Sequence, residues 1–385
     1  MAYFSLNDGN NYFSSGNESD WINALGGDDK VLGGWGNDTI YGGSGNDTLE
    51  GNGQNDTIYG QEGDDWLVPG TGAYHYIDGG SGTDTVSFAD ESGGISVNLS
   101  SPDANGIVVP YYFAFPSNRT NLVEIENVYG SKGNDAIVGN NQNNQIWGAD
   151  GFDALRGEGG DDIIDPGLGR GLANGGHGTD TLSLQSFSIG ANVDLDRNYD
   201  NNYDGSLFYL SGLKEITQGL KGFENVDGSN YNDKIAGNEQ ANVLKGWAGN
   251  DEILGRGGND AIVGGSGSDS LNGGHGNDTL NGYGSDPVYE HDMLTGGDGQ
   301  DTFVIGHSFS IYRSNSFATI TDFSHGDKIS LRGSSHNYRL ETDRNGGTTI
   351  YFGGTGSSYE NPIAYVKNAT NLSLANNNQF TFTAL

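Results

Sequence analysis

Single apolar residues recur at fixed positions along most of this 385-residue chain, each two positions after a residue that is usually aspartate. In "GGSGNDTLE" a glycine-rich hexad precedes three residues, of which only the middle one is aliphatic. Repeated glycine, aspartate and asparagine favour turns over helices, so the hexad predicts a turn. The next three residues predict a short strand with one side chain facing inward.

The inward positions follow a nine-residue spacing in three blocks. In the first two blocks we expect them to be Ile22, Val31, Ile40, Leu49, Ile58, Leu67, Tyr76 and Val86, then Val128, Ile137, Ile146, Leu155, Ile164 and Leu182. Two such units would close one coil of eighteen residues. Stacked coils would then form two parallel sheets around a thin aliphatic row, which predicts an all-β parallel β-roll.

The aspartates keep the same spacing, so residues eighteen apart should lie above one another. They are Asp20, Asp29, Asp38, Asp47, Asp56, Asp65 and Asp84 in the first block, Asp135, Asp153, Asp162 and Asp180 in the second, and Asp233, Asp251, Asp260, Asp269, Asp278, Asp292 and Asp301 in the third. A five-residue insertion near "PVYEH" interrupts the third block.

The breaks in the spacing predict six segments. We expect a first roll block over 1–86, a β insert over 87–125, a second block over 126–183, an insert over 184–223, a third block over 224–305 and a C-terminal cap over 306–385. "GISVNLS" and "GANVDLD" in the inserts alternate as strands do, which predicts hairpins projecting from the coil.

The negative charge of the chain opposes the folding that the hydrophobic pattern predicts. The chain has 51 Asp plus Glu against 17 Lys plus Arg, a formal net charge of -34, which argues against nucleic acid as a partner. Ordering the backbone of the nine residues in one repeat costs roughly 9 to 18 kcal/mol, whereas burial of its one aliphatic side chain contributes only about 1.5 to 3 kcal/mol. Stacked carboxylates repel one another as well. A divalent cation would relieve this, and because the chain has no cysteine, its hard oxygen donors favour Ca²⁺.

The repeats "GGWGNDTIY", "GGSGNDTLE", "GGSGSDSLN" and "GGHGNDTLN" resemble those of the RTX, or haemolysin-type calcium-binding, proteins over most of residues 16–305. The resemblance implies a right-handed parallel β-roll, a calcium-stapled β-solenoid with β-hairpin inserts and a C-terminal β cap. It also implies that the listed aspartates bind Ca²⁺ together with glycine-loop carbonyls, here Gly34, Gly36, Gly43, Gly45, Gly265, Gly267, Gly274 and Gly276.

The coil geometry pairs aspartates across neighbouring coils. The expected pairs are 20/38, 38/56, 29/47, 47/65, 65/84, 135/153, 162/180, 233/251, 251/269, 260/278, 269/292 and 278/301. One ion per pair gives about twelve calcium ions, and binding them should drive folding.

Some positions depart from the pattern. Tyr74 stands where Asp56 needs a carboxylate above it, so that edge should lose its next site. Glu126 with Asn144, and Glu224 with Asn242, predict weak or empty first sites; alternatively, these residues are edge caps.

Three other groups could carry chemistry. Asp200, Asn202, Asp204 and Gly205 follow the opening of an EF-hand loop, with Ser211 in the place of its glutamate; a hairpin turn is the alternative. Histidines such as His75, His177, His275 and His325 show no ligand spacing and are assigned to loops or the surface. Tyr111, Tyr112, Phe113 and Phe115 form either an exposed glycan-binding patch or the core of their insert.

The sequence therefore predicts a secreted, extracellular and non-enzymatic calcium-binding protein with a structural or surface role. The alternatives are a glycan-binding or adhesive module that contacts extracellular polysaccharide or a cell surface, and a non-catalytic part of a polysaccharide-modifying enzyme. No Sec signal and no membrane span are expected. "NNNQFTFTAL" resembles the C-terminal signal read by type I secretion machinery.

Overall fold

A computed structural model of the chain describes residues 1–72, 74–100, 106–110, 120–196, 204–211, 214–283, 290–305, 316–353 and 361–383. The aromatic patch at 111–115 and most of the EF-hand-like loop lie outside these residues. Within them the chain is all-β, apart from one 3-10 turn, η1, at Ser335–Asn337. It divides into two compact units, Met1–Leu182 with Lys221–Phe223, and Ser183–Leu220 with Glu224–Leu385.

Short strands build the first unit. They are β1 Tyr3–Ser5, β2 Tyr12–Ser14, β3 Trp21–Asn23, β4 Lys30–Leu32, β5 Thr39–Ser44, β6 Thr48–Glu50, β7 Thr57–Glu62, β8 Trp66–Val68, β9 Tyr76–Ser81, β10 Thr85–Ser87, β11 Ile95–Asn98, β12 Gly106–Pro110, β13 Thr120–Val123, β14 Asn127–Tyr129, β15 Ala136–Val138, β16 Gln145–Trp147, β17 Gly151–Gly159, β18 Ile163–Asp165, β19 Gly169–His177 and β20 Thr181–Ser183.

The second unit contains the remaining strands. They are β21 Ala191–Asp194, β22 Gly205–Ser211, β23 Lys214–Lys221, β24 Asn225–Asp227, β25 Lys234–Ala236, β26 Val243–Ala248, β27 Glu252–Gly257, β28 Ala261–Ser266, β29 Ser270–His275, β30 Thr279–Tyr283, β31 His291–Asp298, β32 Thr302–Ile305, β33 Phe317–Ile320, β34 Lys328–Arg332, β35 Tyr338–Thr342, β36 Thr348–Phe352, β37 Asn361–Val366 and β38 Phe380–Thr383.

The eighteen-residue coil is confirmed by the strand register. Ile22 pairs with Ile40 and Ile40 with Ile58 in one parallel sheet, while Val31 pairs with Leu49 in the other. All the aliphatic positions expected to face inward are buried, so the row between the two sheets is the core. The predicted parallel β-roll is therefore the observed fold.

One inward position was assigned wrongly. Ile77, and not Tyr76, pairs with Ile58 and is fully buried, whereas Tyr76 pairs with Thr57 on the outer face. The extra residue that delays Asp84 lies before this strand, in the turn after β8, so the register of β9 has already shifted by one. A slip of one residue turns every side chain of a strand to the opposite face.

The inserts contain antiparallel strand pairs, as predicted, but their strands also join the sheet of the roll. In the first, β11 and β13 flank β12 in antiparallel pairing, yet β13 also pairs in parallel with β9, and β11 with β15. In the second unit β21 likewise pairs antiparallel with β22 and parallel with β25. The insert strands thereby occupy sheet edges that an interrupted roll would leave unpaired.

Coil stacking continues into the segment assigned to the cap. β33 pairs in parallel with β31, and β34 with β32, before β35, β36 and β37 form an antiparallel meander. Phe303 and Phe380 are fully buried at this end of the second unit.

Candidate metal centre

The turns depend on glycine where neighbouring coils approach closely. All eight glycines expected to present carbonyls have positive φ, between 90° at Gly34 and 138° at Gly36. A Cβ on Gly43 would collide with the carbonyl of Leu25, and one on Gly265 with that of Trp247. Only glycine adopts this conformation and this contact without strain. Their role as calcium ligands stays a prediction.

The aspartate pairs meet through a direct hydrogen bond. In all twelve expected pairs the backbone N–H of the first aspartate donates to Oδ1 of the second, at N···O distances of 2.7 to 3.0 Å. Every one of these aspartates is buried. The structure therefore brings together the residues that the nine-residue spacing had paired.

The second carboxylate oxygen is left without a partner in most pairs. In nine of the twelve, Oδ2 of the first aspartate is buried and has no hydrogen-bond partner among the described residues; these are Asp29, Asp38, Asp47, Asp65, Asp162, Asp251, Asp260, Asp269 and Asp278. The same holds for Asp56, Asp84, Asp153 and Asp301. A buried anionic oxygen with no donor is costly unless a cation neutralises it.

Most of these oxygens face a small space between coils, here called a cradle, which sequence reasoning had missed. A Cβ on Gly60 would overlap both Oδ2 of Asp65 and the carbonyl of Gly79 in the next coil. Gly255 stands in the same relation to Asp260 and to the carbonyl of Gly273. The missing side chain leaves room for an ion between a carboxylate and a carbonyl. The available signal was that the first hexad position is glycine in nearly every repeat.

Burial makes these carboxylates reluctant to ionise. It raises the pKa of Asp65 to about 7 and that of Asp269 to about 8, against hydrogen bonds from Asp47 and Asp251 that lower them. The neighbouring carboxylates in the stack raise both values further. Desolvation and like-charge repulsion both disfavour the charged form, and a bound cation would reverse both effects.

The hydrogen-bonded series of aspartates along one edge of the roll is here called a ladder. Serine closes the turn at the start of two ladders, those that begin with Asp135 and Asp233. The backbone N–H of Ser131 donates to Asp135 Oδ2 at 2.7 Å, and its hydroxyl donates to Oδ1 at 2.6 Å. Ser229 makes the equivalent bonds to Asp233. Both oxygens of these aspartates are thus satisfied within their own turn. The pairs 135/153 and 233/251 are therefore less suited to a cation than the open pairs.

Asparagine closes two further turns. Asn144 Nδ2 donates to the carbonyl of Glu126 at 2.7 Å, and Asn242 Nδ2 donates to that of Glu224 at the same distance. The amide thus donates to the preceding coil, whereas an aspartate in the open turns accepts an N–H from it. That these first sites are weak or empty, or that the residues are edge caps, stays a prediction.

His75, and not Tyr74, occupies the carboxylate position above Asp56. The N–H of Asp56 donates to His75 Nδ1 at 3.1 Å, whereas Tyr74 is 54% exposed and donates its N–H to Asn55. His75 lies in the loop before β9, in line with its assignment to loops or the surface, but it is only 4% exposed, and burial lowers its pKa to about 4. His177, His275 and His325 are exposed, as expected. Because His75 brings no negative charge, Asp56 still lacks a second carboxylate beside it.

The ladder continues past its expected end. Asp327 Oδ1 accepts the N–H of Asp301 at 2.9 Å, twenty-six residues on, and Asp327 Oδ2 accepts the N–H of Ser324 at 2.6 Å. Asp322 accepts hydrogen bonds from the N–H groups of Gly296 and Gly297. The irregular spacing of "TDFSHGD" hid both residues from the sequence analysis.

The donor set fits calcium. Each open pair offers carboxylate and backbone carbonyl oxygens, which hard cations prefer, and no thiolate. Within the described ranges no three His, Cys, Asp or Glu side chains converge as a metal cluster. Sites of this kind would instead take two carboxylates and complete their coordination with loop carbonyls.

The repeats match the model of a known family. The family model for the RTX calcium-binding nonapeptide repeat (4 copies) matches residues 6–40, 41–74, 125–155, 138–173, 227–262 and 254–286. Comparison with curated proteins gives no match. Among solved structures the chain is similar to extracellular lipase LipA from Serratia marcescens, at 14% identity and a TM-score of 0.21. The match covers 94% of this chain but only 42% of the lipase chain.

Fold and site together define a parallel β-roll of calcium-binding repeats. The chain carries RTX calcium-binding nonapeptide repeats over residues 6–74, 125–173 and 227–286. Over the residues described, no helix has the length and apolar character needed to cross a bilayer.

Proposed function

We propose that this protein folds on binding about a dozen calcium ions and serves, outside the cell, as a non-enzymatic structural or surface component. The observation that carries the proposal is the regular series of buried, unpartnered Oδ2 atoms along both edges of the roll. Without cations these oxygens oppose folding; with cations they become the links between coils.

The extracellular assignment rests on the RTX repeats and on the thermodynamics of the sites. Weak sites of this kind fill at the calcium concentrations found outside cells, so the chain would fold after export through type I secretion machinery. We assign no catalytic role, because repeats, inserts and the C-terminal segment account for nearly all of the sequence.

The test is a calcium titration of the chelated chain, followed by far-UV circular dichroism and elemental analysis of bound metal. We expect a cooperative gain of β structure and about a dozen ions per chain, with Mg²⁺ as a control that gives little change. An unchanged spectrum in EGTA, or a count of two or three ions, would contradict the proposal.

Glycan binding is a second candidate, favoured by an aromatic row on the outer face of the first unit. The rings of Tyr3, Trp21, Tyr41, Tyr59 and Tyr76 follow one another at centroid distances of 4.0 to 5.7 Å. Such a row offers apolar contact to a sugar chain lying along the roll. Affinity electrophoresis in neutral polysaccharide gels tests this, with Tyr3→Ala as the variant because Tyr3 is the most exposed ring. Equal migration with and without polysaccharide would exclude the polymers tested.

A further inference from the structure

The first insert separates Asp84 from Glu126 in the chain. The hydrogen bonding of the aspartate ladder nevertheless continues across it. The backbone N–H of Asp84 donates to Glu126 Oε2 at 2.9 Å, and the Asp84 carbonyl accepts the N–H of Asn127 at 2.9 Å. Glu126 therefore takes the place that an aspartate takes in every regular coil. Its longer side chain compensates for a shorter turn, because three residues, 124–126, separate Val123 from Asn127, whereas six, 79–84, separate their strand partners Asp78 and Thr85.

The cradle below Glu126 has the same construction as the regular ones. A Cβ on Gly79 would overlap both Oδ2 of Asp84 and the carbonyl of Glu124, as one on Gly60 would overlap Asp65 Oδ2 and the Gly79 carbonyl. Glu124 holds φ at 50°, a conformation that costs a non-glycine residue strain. In the regular coils the corresponding first hexad position is glycine and has no such φ.

An unpartnered oxygen points into this cradle. Asp84 is 0% exposed, its Oδ1 accepts the N–H of Asp65 at 2.9 Å, and its Oδ2 has no partner among the described residues. On the other side of the Glu126 turn, the Asn144 amide donates to the Glu126 carbonyl, so that side is closed. The two sides of one turn thus differ, and only the side facing Asp84 is open.

We propose that Asp84, Glu126 and the carbonyl of Glu124 form a calcium site that fastens the return strand of the first insert, β13, to the roll. The inference rests on the proposed function, since it extends the same chemistry to a carboxylate outside the repeat. The ion would join residues separated by about forty positions of chain and would hold β13 against β9.

Glu126→Gln in the 385-residue chain tests the site, with Glu62→Gln as the matched control, because Glu62 is an exposed glutamate of the same unit that lies outside the proposed site. Native mass spectrometry in calcium should count about one ion fewer for Glu126→Gln and the wild-type number for the control. Hydrogen exchange at residues 120–123 should accelerate at least tenfold in Glu126→Gln alone.

An unchanged ion count in a folded Glu126→Gln protein overturns the inference and leaves the proposed function intact, whereas a wild-type chain that binds no calcium overturns the proposed function. If Glu126→Gln does not fold, Glu126→Asp is measured, and its shorter side chain should lose the same ion. If both variants fail to fold while Glu62→Gln folds, the inference is also overturned, because a site that fastens only the insert leaves the rest of the roll intact.

Discussion

The backbone N–H of Asp47 donates a 2.8 Å hydrogen bond to Oδ1 of Asp65, while Oδ2 of Asp65 is buried without a partner. One carboxylate thus does two things: it fixes the register of two coils and leaves a charge that the protein itself does not neutralise. Repetition of this relationship along both edges makes the stability of the roll conditional on a cation.

Asp65→Asn should weaken calcium binding while keeping the register. The amide oxygen can still accept the Asp47 N–H, but the negative charge beside the cradle is lost. We expect the calcium concentration at the folding midpoint to rise by at least about tenfold, measured by circular dichroism. Asp64→Asn is the control, because Asp64 is exposed and an amide oxygen can equally accept the Thr83 N–H. Equal midpoints for the two variants would count against the ligand role.

Asn144→Asp should open a turn that is now closed. A carboxylate cannot donate to the Glu126 carbonyl, so two oxygens would face each other, at a cost of about 1 to 3 kcal/mol without metal. With calcium present we expect one additional bound ion, counted by native mass spectrometry. Asn143→Asp, at an exposed position whose side-chain oxygen accepts the Asp161 N–H, should add none.

Gly255→Ala should disrupt a cradle directly. Its Cβ would overlap Asp260 Oδ2 and the carbonyl of Gly273, which displaces the ion and strains two coils. We expect a loss of about 1 to 3 kcal/mol in the free energy of unfolding of the calcium-loaded chain. Gly93→Ala is the control, because nothing lies within 4 Å of the added Cβ. Denaturation of both variants in calcium makes the comparison, and equal stabilities would refute the cradle.

Acidification should stabilise the chain when calcium is absent. Burial raises the pKa of Asp47 and Asp84 to about 6, of Asp251 to about 7 and of Asp153 to about 8. A raised pKa means that the folded chain favours the protonated group. Its contribution is complete below the unfolded value of about 3.9 and is lost as the pH rises through the folded values.

In EGTA we therefore expect β structure in far-UV circular dichroism to increase as the pH falls from about 8 to about 4. In calcium the dependence should reverse, because protons compete with the ion for the same oxygens. A metal-free chain that gains structure on raising the pH would contradict the assignment of these carboxylates.

The sequence by itself determined the repeating coil. Because the nine-residue spacing of Ile40, Leu49 and Ile58 admits one inward residue per strand, it fixes which residues stack and which aspartates pair. These are local properties, since glycine sets the turn and alternation sets the face. The twelve pairs could be predicted for the same reason.

Only the tertiary structure decided which positions are open to an ion. Whether Oδ2 of an aspartate is unpartnered depends on atoms from the next coil or from its own turn, such as the hydroxyl of Ser131 or the amide of Asn144. The place of His75 above Asp56, and of Glu126 above Asp84, follows from how turns of unequal length are accommodated when coils stack. These contacts join atoms of two coils, so the linear spacing of one coil does not predict them.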